Sequence, residues 1–293
     1  MSGFAGWQAW TGEQAREWIA VPAASADKYS RGVLGVRTGS RAYPGAAVLG
    51  VEAAMRAGLG MVRYLGPRRA TSLVLQRRPE VVTAPGRVQA WLLGSGMDAS
   101  QRSTATLEAL EAAFAEGVPV VCDAGALDLV HRNAGPTVIT PHYRELAGLL
   151  AGAASGAASG VVSGRRVDVT PAEIAADPGE WAVRSADLLG VSVLLKGAVT
   201  YVASPGGTRL TVTGAPSWLA TAGAGDVLGG ILGALLATHA TALEADAEAC
   251  APLAATAALV HGLAAARASA GGPLLALDVA EALPATIAAL LRP

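Results

Sequence analysis

The sequence predicts an α/β protein. Short apolar runs of strand length alternate with longer segments of helical period along the chain, and glycine-rich turns fall where strands end. The 293 residues are 52% hydrophobic and 15% charged, enough apolar material for one large α/β domain with a sizeable core.

Residues 1–27 read as an N-terminal arm, loosely packed or helical, with Trp10, Trp18 and Ile19 as anchors. The rest, 28–293, reads as one domain. A strand at 33–36 is followed by the turn-rich loop 38–45 and a helix over 46–59, a strand–loop–helix unit of the ligand-facing kind. Strands follow at 61–65 and 88–93, the second ending in Gly94-Ser95-Gly96. A helix at 104–116 leads to a buried strand at 118–122 with Asp123 at its end, and 137–140 is a further strand entering the turn before a helix at 146–150. The small-residue stretch 151–164 has little to bury and reads as a flexible surface insertion. Thr170-Pro-Ala-Glu173 is a capping box, the apolar pattern resumes at 181–189, and 191–195 is a continuous apolar strand. The segments 201–203 and 209–212, joined through Ser-Pro-Gly-Gly, read as a hairpin. The alanine-rich remainder is helical at 226–237, 245–268 and 279–291, covering the sheet and offering an oligomer surface.

A net charge of −1 with scattered Lys and Arg gives no electrostatic footprint for nucleic acid or an anionic membrane. Small-molecule partners are the expectation. Cys122 and Cys250 sit among apolar neighbours without CxxC or Cys/His spacing, so they read as buried small side chains and no metal site is assigned. No export signal opens the chain and no apolar run reads as a membrane span, which gives a cytoplasmic expectation. The Gly58-x-Gly60 pair follows a helix, not a strand, and completes no dinucleotide fingerprint.

The chemistry concentrates at 214–226, where a glycine-rich loop, Ala222-Gly223-Ala224-Gly225, enters a helix at Asp226. Free amides at such a helix start attract an anion, and a carboxylate in that field can take a proton from a hydroxyl. Asp226 is also placed to be a plain helix cap. Asp123 is a strand-end site residue or a cap. His142 is a structural histidine or a contact to a polar ligand. Lys196 with Gly197 is a cation beside nucleotide phosphates or a solvated strand end.

These stretches, in order, carry a resemblance. Lys28-Tyr-x-Arg-Gly32, Gly39-Ser40 with Tyr43-Pro-Gly-Ala-Ala47, Gly94-Ser-Gly96, Asp123-Ala-Gly-Ala-Leu127, Thr140-Pro-His-x-x-Glu145, Leu195-Lys-Gly-Ala-x-Thr200 and Leu219-Ala-Thr-Ala-Gly-Ala-Gly-Asp226 are similar to the ADP/ATP-dependent NAD(P)H-hydrate dehydratases of the ribokinase-like superfamily. The likeness runs from about residue 28 to the C-terminus. It implies a three-layer α/β/α fold around a central, mostly parallel sheet, and a homo-oligomer. It also implies a repair reaction: dehydration of (S)-NADHX or NADPHX to NADH or NADPH at the expense of ADP or ATP, with Mg2+ on the nucleotide phosphates and a separate NAD(P)HX epimerase as a companion. By that resemblance Ala46, Gly96, His142 and Asp226 contact the hydrated cofactor, with Asp226 as the base. Lys196, Gly197, Ala198, Val199, Thr200 and Gly225 serve the adenine nucleotide.

The chain departs from the pattern at Tyr143-Arg144, where the family has a small turn, and at Thr211-Val-Thr-Gly214, where it often has Asn-Pro-Thr-Gly. The 151–164 stretch is longer than usual, and Ala224 replaces a common hydroxyl residue. A ribokinase-like kinase of a vitamin precursor or sugar alcohol would use the same Asp226 apparatus. A non-catalytic nucleotide sensor is the third reading.

Overall fold

A computed structural model of the chain describes residues 6–152 and 167–292. The insertion expected at 151–164 lies, from 153 onward, outside the described residues.

The strands follow from apolar runs with a period of two. Among the described residues they are β1 (Gln8–Ala9), β2 (Val33–Arg37), β3 (Met61–Tyr64), β4 (Ala90–Leu93), β5 (Val120–Cys122), β6 (Thr137–Ile139), β7 (Ser192–Leu195), β8 (Thr200–Ala203) and β9 (Arg209–Val212). They form one sheet in the order β1-β9-β8-β7-β6-β5-β4-β2-β3. Pairing is parallel from β3 through β7, and β8 is antiparallel to both β7 and β9, the expected hairpin.

Alternation along each strand makes three layers. Leu34, Leu92, Val121 and Leu194 point to one core, while Val33, Trp91, Leu93, Val193 and Leu195 point to the other. The helices are α1 (Gly12–Glu17), α2 (Gly45–Arg56), α3 (Arg68–Arg77), α4 (Thr104–Ala115), α5 (Tyr143–Gly152), α6 (Pro171–Ala176), α7 (Pro178–Leu189), α8 (Ala224–Thr238), α9 (Ala240–Ala245), α10 (Cys250–Ser269) and α11 (Ala276–Leu290). α2, α8, α10 and α11 fill the first core, and α4 to α7 supply the second, through residues such as Phe114, Leu146, Ile174 and Ala186. The three-layer expectation therefore holds, with a mixed but mostly parallel sheet.

Several elements differ from the sequence reading. The opening segment, expected as an arm, lays β1 parallel to β9 at the sheet edge, and Trp10 Nε1 donates to Thr256 Oγ1 of α10 at 3.1 Å. α3 was not legible because its face is arginine-rich. The helix expected at 245–268 is divided into α9, a short 3-10 turn and α10. The span Ala247–Ser269 is long and apolar enough to cross a membrane, but 78% of its most apolar window is buried inside the fold. It is the central helix of the first core. Both cysteines are buried and free.

One charged cluster is built into the helical layer. Glu52 of α2 is fully buried and accepts hydrogen bonds from Arg56 (2.6 Å), Arg77 (3.3 Å) and Arg78, while Arg77 also pairs with Glu281 of α11. Burial opposes ionisation of Glu52, yet the hydrogen bonds from Arg78, Arg56 and Arg77 prevail and hold its carboxyl down to about 2. The cluster ties α2, α3 and α11 together behind the end of α2 that faces the site.

Candidate functional site

The chain leaves β2 outward to β3 and then returns to place β4 on the opposite side of β2. Open α/β sheets bind ligands in the crevice beyond the carboxyl ends of strands at such a reversal. The loops after β2 and β4 border that crevice and are stitched together by the Gly39 amide, which donates to the Ser95 carbonyl at 2.7 Å. Gly96 takes a φ of +67°, and a Cβ there would lie 2.3 Å from the Ala46 Cβ and 3.0 Å from the Tyr43 carbonyl oxygen. Ala46 and Gly96 are thus immediate neighbours.

A second helix start meets the first. α2 and α8 cross almost in backbone contact, since a Cβ on Gly230 would fall 2.2 Å from the Gly50 carbonyl oxygen, and one on Gly50 would fall 3.4 Å from the Asp226 carbonyl oxygen. This sets Asp226, in the first turn of α8, beside the first turns of α2. Gly223, at φ +90°, turns the chain into α8 and caps it without a side chain. The amides of Gly225 and Asp226 have no protein acceptor among the described residues, which leaves them free to receive an anion. The Asp226 carboxylate makes no capping bond either. The cap reading of Asp226 is therefore not what the fold shows. Burial pushes its carboxyl up to about 7, reinforced by Asp123 and partly offset by Lys196.

The third part comes from strand ends. Asp123 follows β5, Lys196 follows β7, and Lys196 Nζ donates to Asp123 Oδ1 at 3.2 Å. Ser95 Oγ donates to Asp123 Oδ2 at 3.0 Å and Thr140 Oγ1 to Oδ1 at 2.8 Å, so this buried carboxylate is fully engaged and makes no cap bond to the 3-10 turn it precedes. Lys196 Nζ also lies 3.6 Å from Glu145 Oε2. Burial disfavours the ammonium, but Asp123, Glu145 and Asp226 together raise its pKa above the ordinary lysine value. A Cβ on Gly225 would sit 3.5 Å from Nζ, which places the cation beside the glycine loop.

His142 pairs with Lys196 as an isolated parallel bridge. Its amide donates to Glu145 Oε2 at 2.8 Å, and its Nδ1 accepts from the Glu145 amide at 3.2 Å, a reciprocal cap at the start of α5. That bond leaves the proton on Nε2, and the half-exposed ring still borders the Lys196–Glu145 pair. Capping and site placement coexist. In the stretch 196–200, Gly197 and Ala198 are exposed, Val199 packs partly on the second core, and Thr200 begins β8. Tyr143 fits against this turn: a Cβ on Gly197 would lie 2.3 Å from its hydroxyl.

Two contributors go beyond the sequence reading, which gave Asp123 only as a strand-end site residue or a cap and gave His261 no role. Asp123 is the hub of the polar cluster, and its place after a buried strand was the available signal. His261 of α10 is buried with Nε2 unpartnered, beside the Ala224 backbone at the start of α8. Burial lowers its pKa to about 4, so it is neutral. The sequence shows His261 only as an interruption of an apolar run.

Known proteins resemble this chain in sequence and in fold. A family profile described as NAD(P)H-hydrate dehydratase covers residues 34–284. The bifunctional NAD(P)H-hydrate repair enzyme Nnr of Mycobacterium tuberculosis is 42% identical over 243 residues, covering 78% of this chain and 45% of that protein. The chain thus spans a little under half the length of the bifunctional relatives. The ADP-dependent (S)-NAD(P)H-hydrate dehydratase of Neisseria meningitidis is 33% identical over 232 residues, with 73% of this chain and 72% of that one covered. In fold, the chain is similar to the Bacillus subtilis ADP/ATP-dependent NAD(P)H-hydrate dehydratase co-crystallised with ATP/Mg2+, with a TM-score of 0.79, 24% identity, and 97% and 98% of the two chains covered. A profile match over most of the chain, together with relatives above 30% identity, places this chain in the NAD(P)H-hydrate dehydratase family.

Proposed function

We propose that the chain repairs hydrated nicotinamide cofactors, dehydrating (S)-NADHX or NADPHX to NADH or NADPH at the expense of ADP or ATP. The observation that carries this reading is the Asp226 carboxyl, raised to about 7 at an anion-attracting helix start and facing Lys196.

A base of that pKa is half ionised near neutrality and close to the optimum for proton transfer. In the proposed sequence Asp226 takes the proton of the substrate hydroxyl as its oxygen attacks the terminal phosphorus of the nucleotide. The bond to the leaving nucleotide breaks, giving AMP from ADP or ADP from ATP. The free amides of Gly225 and Asp226, with Lys196, hold the transferring phosphoryl group. The ring nitrogen then drives out phosphate, and loss of a proton from the neighbouring ring carbon restores the double bond. Ala46, Gly96 and His142 line the substrate side, and residues 196–200 with Gly225 line the nucleotide side.

Among the described residues no three His, Cys, Asp or Glu side chains converge as a metal cage, and Asp123 and Glu145 are engaged by Lys196. Mg2+ in this reading travels on the nucleotide phosphates, and no step above depends on a protein-held ion. A homo-oligomer, a cytoplasmic setting and a companion epimerase belong to the same proposal. Incubating the protein with NADHX, Mg2+ and ADP or ATP tests it: reduced-nicotinamide absorbance returns only with nucleotide. Accumulation of a stable phosphorylated product would instead mark a kinase.

A further inference from the structure

The glycine loop has no means of fixing its own shape. Residues 222–225, Ala-Gly-Ala-Gly, carry no polar side chain, and Gly223 opens α8 without a side-chain cap. Glycines of this kind leave the backbone many conformations, so the one that presents the Gly225 and Asp226 amides to an anion has to be selected from outside the loop.

α10 is the element placed to select it. This helix is buried along most of its length in the first core, which makes it a firm support. It meets the loop at two adjacent positions. A Cβ on Gly262 would lie 3.3 Å from the Ala215 Cβ, near the loop's beginning, and the His261 ring lies beside the Ala224 backbone, at its end.

His261 is out of character with its helix. Leu259 and Val260 precede it, Gly262, Leu263 and Ala264 follow, and the imidazole is 7% exposed with Nε2 lacking any hydrogen-bond partner. An apolar residue would spare the fold an unsatisfied buried nitrogen, so packing alone does not account for a histidine here. Burial keeps the ring neutral; the Ala224 backbone favours its proton, as a carbonyl facing a ring N–H does, and the Lys196 ammonium disfavours a second one. A neutral imidazole retains one donor and one acceptor. It can bond the loop without adding a charge beside Asp226.

We propose that His261 is the positioning residue of the anion loop: its imidazole takes up a hydrogen bond to the Ala224 backbone when a phosphoryl group draws the loop in, and so holds the free amides of Gly225 and Asp226 against that group. Hydrogen bonds of this sort are slack in an empty site and tighten as it fills. The inference rests on the repair reading for the reaction itself, while the phosphate of a bound nucleotide suffices to engage the loop.

Two variants of the full chain test it. His261→Leu fills similar space without polar atoms, and His261→Gln keeps a donor and an acceptor. Calorimetric titration with ADP and Mg2+ needs no turnover: Kd should weaken about ten-fold in His261→Leu and stay within about two-fold of wild type in His261→Gln. With NADHX, His261→Leu should lower kcat by at least about ten-fold and leave KM for NADHX unchanged, and His261→Gln should restore most of the rate. Without ligand, His261→Leu should melt no lower than wild type, because the bond it deletes forms with the anion in place. Unchanged ADP affinity in His261→Leu, equal weakening in His261→Gln, or a melting temperature of the ligand-free His261→Leu protein well below wild type would make His261 a packing residue and overturn the proposal. Absence of wild-type dehydration with ADP binding that still depends on His261 would count against the repair reaction alone.

Discussion

Lys196 sets its ammonium 3.2 Å from the Asp123 carboxylate, joining the end of β7 to the end of β5 across β6. Burial raises the pKa of Asp226 most; Asp123 raises it further and Lys196 lowers it, so the pair tunes the proton affinity of the proposed base in opposite directions.

That opposition is measurable in a pH profile. The acid limb of kcat should lie near 7 in the wild type, because Asp226 must lose its proton to act. Asp123→Asn should move the limb to lower pH. An unmoved limb would mean that another group controls it.

Asp226→Asn should bind ADP normally and lose turnover by at least ~100-fold, the scale of general-base catalysis. It should also change stability in a pH-dependent way. The folded-state pKa lies above the ordinary carboxylate value, so ionised Asp226 costs folding free energy that begins to accumulate above about pH 4 and is complete above about 7. The variant should therefore match wild type in acid and exceed it at pH 8, by ~1–3 kcal/mol after allowance for partial exposure. Thermal melts at the two pH values read the difference.

Gly96→Ala introduces a Cβ 2.3 Å from the Ala46 Cβ at a φ of +67°. The loop after β4 must move, and misplacement of that order costs roughly 100-fold in kcat/KM for the hydrated cofactor. ADP affinity should stay within about two-fold, since the nucleotide side is formed by other elements.

Glu52→Ala should destabilise the fold by ~3–5 kcal/mol, because it leaves Arg78, Arg56 and Arg77 around a vacated buried site. Glu52 has a depressed pKa, so its contribution is present above the ordinary glutamate range and is lost as pH falls towards about 2. The difference between wild type and variant, measured by denaturant unfolding, should shrink in that acid range.

The strands and the glycine loop were legible because each is local: a period of two, a run of apolar residues, or glycines ahead of a helix start. Asp226 was legible for the same reason. Asp123 was read as a strand-end site residue or a cap, but its place as the hub was not legible, because its partners Ser95, Thr140 and Lys196 come from three separate loops, and only the parallel sheet brings them within 3.2 Å. His142 was read as either structural or ligand-facing, and the reciprocal bond with Glu145 shows a cap that also borders Lys196. The edge strand β1 escaped notice because two residues carry no periodicity; its pairing with β9 is purely tertiary. Tyr143 stood out as a bulky departure, and the fold seats its hydroxyl against Gly197.

The most direct test follows reduced-nicotinamide absorbance in purified protein supplied with NADHX and Mg2+, with and without ADP or ATP, in wild type and Asp226→Asn. The account predicts recovery in the wild type that requires nucleotide and disappears in Asp226→Asn while nucleotide binding persists. Recovery at wild-type rate in Asp226→Asn, or no recovery in wild type that binds nucleotide, would contradict it.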